Sequence, residues 1–152
     1  MEYIIHDRTL ALTETESNYY RTKVYETNKV IYRKEDPLTI IKNSCKHYGY
    51  HYSAWNKLVK KILGRNSKLP VPIKPSNALF FVPTTSHHNK DCTWISYYKV
   101  IHYMERNNKL KIVLNDGQTI STDISLNQFK LQMKRTGSII AYFYPLLHDS
   151  KN

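Results

Sequence analysis

From Pro37 to Lys90 the chain contains neither aspartate nor glutamate. The same window holds nine cations: Lys42, Lys46, Lys57, Lys60, Lys61, Arg65, Lys68, Lys74 and Lys90. It carries +9 of the chain's net +11, while the flanks before and after it carry −1 and +3. This limits how the segment can fold. A cation without a local carboxylate is costly to bury, so each must stay on a solvated face, where like charges repel. A bound polyanion would relieve that repulsion, and each phosphate neutralised releases condensed counterions. AT-rich codon usage would raise Lys, Asn, Ile and Tyr together. It does not explain why acids vanish from one continuous window and appear freely on both sides.

The length of 152 residues suits one domain with a real core. No apolar run approaches the roughly 18 residues that a membrane span needs. The N-terminus, MEYIIHDRTL, lacks the basic and apolar regions of a secretory signal. Two cysteines, Cys45 and Cys92, do not make a disulfide framework, and a reduced, cytoplasmic protein is expected.

The pattern along the chain predicts an α+β fold with hairpins in an antiparallel or mixed sheet and about three helices. Ile4 to His6 is a short strand candidate. Asn18 to Lys34 reads as a hairpin about a Glu26-Thr27-Asn28 turn. A first helix is expected after Asp36, with Pro37 at its first position, Leu38, Ile41, Cys45 and Tyr48 at helical spacing, and Gly49 at its exit. A second runs from Ser53 to Leu63. Trp55, Leu58, Val59, Ile62 and Leu63 face inward, Gly64 closes it, and Asn56, Lys57, Lys60 and Lys61 face out. Pro70 to Pro75 reads as a breaker-rich connection, followed by a strand from Ala78 to Val82. Thr84 to Asp91 is a polar loop before a strand around Trp94. Val100 to Arg106, Leu110 to Leu114 and Thr119 to Ile124 are further strands, the last two joined at Asp116-Gly117. Ser125 and Gln128 form a capping box for a third helix, which Gly137 ends or bends. Ile139 to Leu147 suits strand or helix.

Lys57, Lys60 and Lys61 on one helix face, taken alone, read as the solvated side of an amphipathic helix more readily than as phosphate contacts. Lys42, Lys46, Arg65 and Lys68, with no acid to pair them, favour phosphate contacts. The loop residues His87, His88, Asn89 and Lys90 are candidates to reach a duplex groove, since their side chains can donate to base-edge acceptors. Aromatic residues interleaved with lysine from Lys46 to Lys57 also suit stacking on single strands, although Tyr48 and Trp55 are expected in the core. The cysteines and histidines have no recognised zinc spacing, so no metal site is expected. No carboxylate, serine or glycine-rich constellation points to catalysis or to a cofactor. His102 with Tyr103, or His87 with His88, would be the residues of a small basic ribonuclease, the enzymatic alternative. A single-stranded nucleic-acid binder is the other alternative.

Three ordered segments resemble the ComK family, the bacterial competence transcription factors. They are Asn43 to Gly49 (NSCKHYG) with Tyr52 and Lys57, Pro75 to Ser86 (PSNALFFVPTTS), and Asp91 to Ser96 (DCTWIS) with Val100. A weaker match continues through Leu114 to Thr119 and Ile124 to Phe129, so the resemblance spans about residues 30 to 136. It implies a non-enzymatic, sequence-specific activator of DNA-uptake genes. Such a protein would bind A/T-rich boxes in double-stranded DNA through the minor groove and assemble as a homo-oligomer. Longer members carry a C-terminal tail read by a protease adaptor. By that resemblance this chain would be a short member that stops soon after its last helical region, so adaptor control is not expected, and Tyr142 to Pro145 lies too near the domain to be that tail. Val100 to Arg135 is also similar in its order of elements to the LytTR type of DNA-binding domain, an analogy of fold alone.

Overall fold

The structure is a computed structural model and describes residues 1–148. Its centre is a six-stranded antiparallel sheet of β1 (Thr9–Glu14), β2 (Thr22–Glu26), β3 (Lys29–Arg33), β4 (Val71–Lys74), β5 (Leu79–Pro83) and β6 (Trp94–Ser96). The strand order is β3-β2-β1-β6-β5-β4. A second sheet contains β7 (Val100–Arg106), β8 (Lys109–Leu114) and β9 (Thr119–Thr122) in sequence order. Three helices, α1 (Pro37–His47), α2 (Tyr52–Leu63) and α3 (Leu126–His148), complete an α+β architecture.

The central strands are covered on both faces. Leu12, Trp94, Phe81, Val71 and Ile73 meet Ile40, Ile41 and Cys45 of α1 in one cluster. From the opposite face Leu10, Ala11 and Ile95 meet Leu110, Ile112, Leu114 and Ile120 of the small sheet and Phe129 of α3. A third cluster joins Val59 of α2 to Ile139 and Phe143 of α3 across Phe80. Burying an apolar side chain of this size contributes about 1.5–3 kcal/mol, so these three seams dominate the fold.

Local chemistry sets the boundaries. Asp36 Oδ1 accepts from the Thr39 amide at 2.8 Å, and Pro37 opens α1. Gly49 (φ 88°) and Gly64 (φ 65°) take the left-handed conformations that let the chain leave α1 and α2. Asn107 and Asn108 (φ 54° and 62°) make the tight turn between β7 and β8. Ser125 Oγ accepts from the Gln128 amide at 3.1 Å at the start of α3. The two sheets are tied at their turns. Asp116 Oδ2 accepts from the Asn28 amide at 2.8 Å, and Gln118 Nε2 donates to the Glu26 carbonyl at 2.8 Å.

Three local expectations are corrected, and one left open between strand and helix is decided. Ile4 to His6 is irregular, and the strand begins at Thr9. Ile5 is buried there, but its amide donates to Ser44 Oγ instead of to a neighbouring strand. The proline-rich stretch contains β4, which tolerates Pro72 because it is the sheet's edge. Gly137 does not end α3, and Ile139 to Leu147 continues it as helix. Glycine's cost of about 1 kcal/mol within a helix is outweighed by the burial of Phe129, Ile139 and Phe143 on either side.

Candidate nucleic-acid interface

Helix α1 carries Lys42 and Lys46 one turn apart, both exposed. Helix α2 carries Lys57 and Lys61 as one such pair, and Asn56 and Lys60 as a second, while Val59 is buried beneath them. Lys42 Nζ lies 5.4 Å from the centre of the Tyr52 ring, and Lys74 Nζ lies 4.9 Å from that of Tyr48. These aromatic faces hold the ammonium groups without neutralising them. The ion pairs among the described residues are His6–Glu26, Arg21–Asp36, Lys29–Glu26, Arg33–Glu35 and Lys109–Asp123. None uses a cation of the acid-free window, so the surplus charge read from the sequence is left without ion pairs among the described residues.

The hairpin loop between β5 and β6 is folded on itself. The Thr84 amide donates to the Thr93 carbonyl, the Thr93 amide to Thr84 Oγ1, and the Asn89 amide to the Ser86 carbonyl, at 2.9, 2.9 and 3.0 Å. This seats His87 and His88, with ring centres 4.0 Å apart, between two clefts. A cleft of about 170 Å³ has Tyr52, Asn56, Lys60, Ser67, Lys68 and the two histidines among its walls. Its neighbour, of about 270 Å³, brings the histidines together with Lys42, Asn89, Glu14 and Asp36. Burial, then the charges of His88 and Lys42, lowers the pKa of His87. Asp36 is occupied as a helix cap and by Arg21 at 3.6 Å.

The fold therefore brings together Lys42, Lys60, Lys68, His87 and His88, which are far apart in sequence, with Asn89 at their margin. Lys46, Lys57 and Lys61 stand on exposed helix faces outside these clefts. Arg65 occupies the turn after α2, its Nε donating to the Ser67 carbonyl at 2.9 Å. Lys90 faces elsewhere, into clefts shared with Glu14, Glu16 and Asp91. Among the described residues no group of three or more His, Cys, Asp or Glu converges to hold a metal ion. Cys45 and Cys92 are both buried, and burial pushes the Cys45 thiol up to about 12. Tyr48 and Trp55 are half-buried against the core, and the Tyr48 hydroxyl donates to the Ile5 carbonyl. No described helix is long and apolar enough to cross a membrane.

Sequence reasoning missed Asn56 and Tyr52 as cleft walls and all of α3's cations. Lys130, Lys134 and Arg135 stand at helical spacing after the capping box, and that spacing was the available signal.

The model of the ComK protein family matches residues 1–145. The chain belongs to the ComK family. A curated relative, the competence transcription factor of Bacillus subtilis (strain 168), is 29% identical over 136 residues, covering 88% of this chain and 71% of that protein. No solved structure matches the chain. The ComK match extends the resemblance seen between about residues 30 and 136 toward both ends. It takes in β1, β2 and most of α3, including Tyr142 to Pro145, which are helical.

Proposed function

We propose that this chain is a non-enzymatic competence transcription regulator that acts by binding double-stranded DNA. The ComK family match over residues 1–145 carries the reading. The cations on α1, α2 and the turn after α2 support it, because they lie at the surface with no ion pair among the described residues, which suits phosphate contact. In the finer reading the protein activates DNA-uptake genes from A/T-rich boxes and assembles on them as a homo-oligomer. Contact is through the minor groove, which in A-tracts is narrow and strongly negative. It offers the A N3 and T O2 acceptors to Asn, His and Lys donors. The His87-His88-Asn89 hairpin tip beside Lys42 and Lys60 supplies such donors.

Groove choice is tested by competition. A minor-groove ligand such as netropsin displaces the protein, and duplexes with I·C in place of A·T, which keep the minor-groove edges, are still bound. Loss of binding on the I·C duplex would instead indicate major-groove reading, as the LytTR analogy suggests.

A further inference from the structure

Arg135 lies outside the acid-free window, yet the fold brings it to that window's surface. Its Nη1 donates to Gln132 Oε1 at 2.7 Å. Gln132 is only 1% exposed, and its amide nitrogen donates to the carbonyls of Lys68 at 3.0 Å and Pro83 at 2.7 Å. The buried glutamine thus spends its donors on the turn after α2 and on the end of β5, and keeps its acceptor for the guanidinium. The turn is itself fixed. Lys68 takes a left-handed conformation (φ 56°), and Arg65 is held by its bond to the Ser67 carbonyl. Both arginines are thereby anchored to adjacent residues of one turn, Arg65 on the Ser67 carbonyl and Arg135 through Gln132 on the Lys68 carbonyl, and burial, then the charge of Arg65, lowers the pKa of Arg135. Neither arginine forms an ion pair among the described residues.

Two half-buried guanidiniums held from different elements, with no acid between them, form a site for an anion. We infer that Arg65 and Arg135 together grip one phosphate, that Gln132 positions Arg135 for it, and that α3 thereby joins α2 in contacting the nucleic-acid backbone. The inference rests on the nucleic-acid reading above. Lys57 and Lys60 supply other phosphate contacts, so the arginine pair can fail without that reading failing.

The test is duplex binding across salt for the full chain and for Arg65→Gln, Arg135→Gln and the double variant, with thermal unfolding confirming that each folds. Each single variant weakens binding about tenfold, the loss expected for a charge-assisted hydrogen bond. The double variant flattens the log–log salt slope by about 0.9, the value of one phosphate, and costs less than the two singles combined. Arg135→Lys keeps the wild-type slope but binds more weakly, because it keeps the charge and loses the fork. An unchanged slope in a folded double variant overturns the inference. So do additive losses near two phosphates, which would mean that the arginines act separately. A third contrary result is inorganic phosphate raising the melting temperature of the wild type but not of the double variant while duplex slopes agree. That would assign the site to free phosphate. Wild-type protein that binds no duplex overturns this inference and the functional reading together.

Discussion

Glu26 ends β2 as a buried carboxylate, and it shows how single residues fix this molecule's acid sensitivity. Burial alone would push its pKa up. The Tyr3 hydroxyl, which donates to Glu26 Oε2, the His6 ring at 3.2 Å and Lys29 at 3.4 Å outweigh burial and hold the pKa below its ordinary value. A carboxylate with a depressed folded pKa contributes stability above its unfolded pKa and loses it as pH falls through the folded value. Glu26→Gln is therefore expected to cost about 1.5–3 kcal/mol at neutral pH, the range for hydrogen bonds to a charged group. The gap from wild type should begin to close as pH falls through the ordinary carboxyl value of about 4.3 and vanish only below the depressed folded value, where both states of the wild type protonate the carboxyl. Urea titrations at pH 7 and at acid pH measure it, and a gap that stays constant would contradict the charged network. Asn89 and Lys90 test the groove hypothesis at the same scale. Replacing both with Ala is expected to erase most of the preference for A/T-box over G/C-rich duplex at modest cost to non-specific binding. Asn89 lines one of the acid-containing clefts of Lys90 but also borders the histidine cleft, which makes Asn89 the stronger of the two in this respect. An intact preference would remove the hairpin tip from base reading.

Helix α2 is the clearest element-scale test of general affinity. Lys57 and Lys60 are exposed and form no ion pair among the described residues, so Lys57→Ala with Lys60→Ala leaves the core untouched. The double variant is expected to weaken binding to all duplexes alike and to flatten the salt slope by about 0.9 for each lost contact. An unchanged slope at unaltered stability would place α2 away from DNA. Elements with local punctuation were legible in the sequence. Asp36, Pro37 and Gly49 mark α1, Gly64 marks the end of α2, and Asp116-Gly117 and Ser125 mark the turn after β8 and the start of α3. Elements defined by tertiary burial were not. In β1, Thr9 to Leu12 are buried on both faces, so the strand shows no alternation to read. Strand β4 is held by pairing with β5 despite Pro72, and α3 runs through Gly137 because its neighbours pack on α2 and β5. The candidate site divides in the same way. Its charge was visible as an acid-free run, whereas the meeting of Lys42, Lys60 and Lys68 with His87 and His88 depends on the β5–β6 hairpin folding against two helices.

At the scale of the whole molecule, the two sheets and three helices put the acids and the window's cations to different uses. Glu26, Glu35 and Asp36 are committed to internal hydrogen bonds and ion pairs on the β2–β3 side. The cations of α1, α2 and the turn after α2 form no ion pair among the described residues. A titration across salt concentrations of A/T-box duplex, scrambled duplex, single strand and RNA of equal length tests that division most directly. Tightest binding is expected to the A/T-box duplex, with a steep salt slope on both duplexes and a specificity ratio that changes less with salt than the affinities do. Equal or stronger binding to single strand or RNA, or cleavage of the RNA, would contradict it.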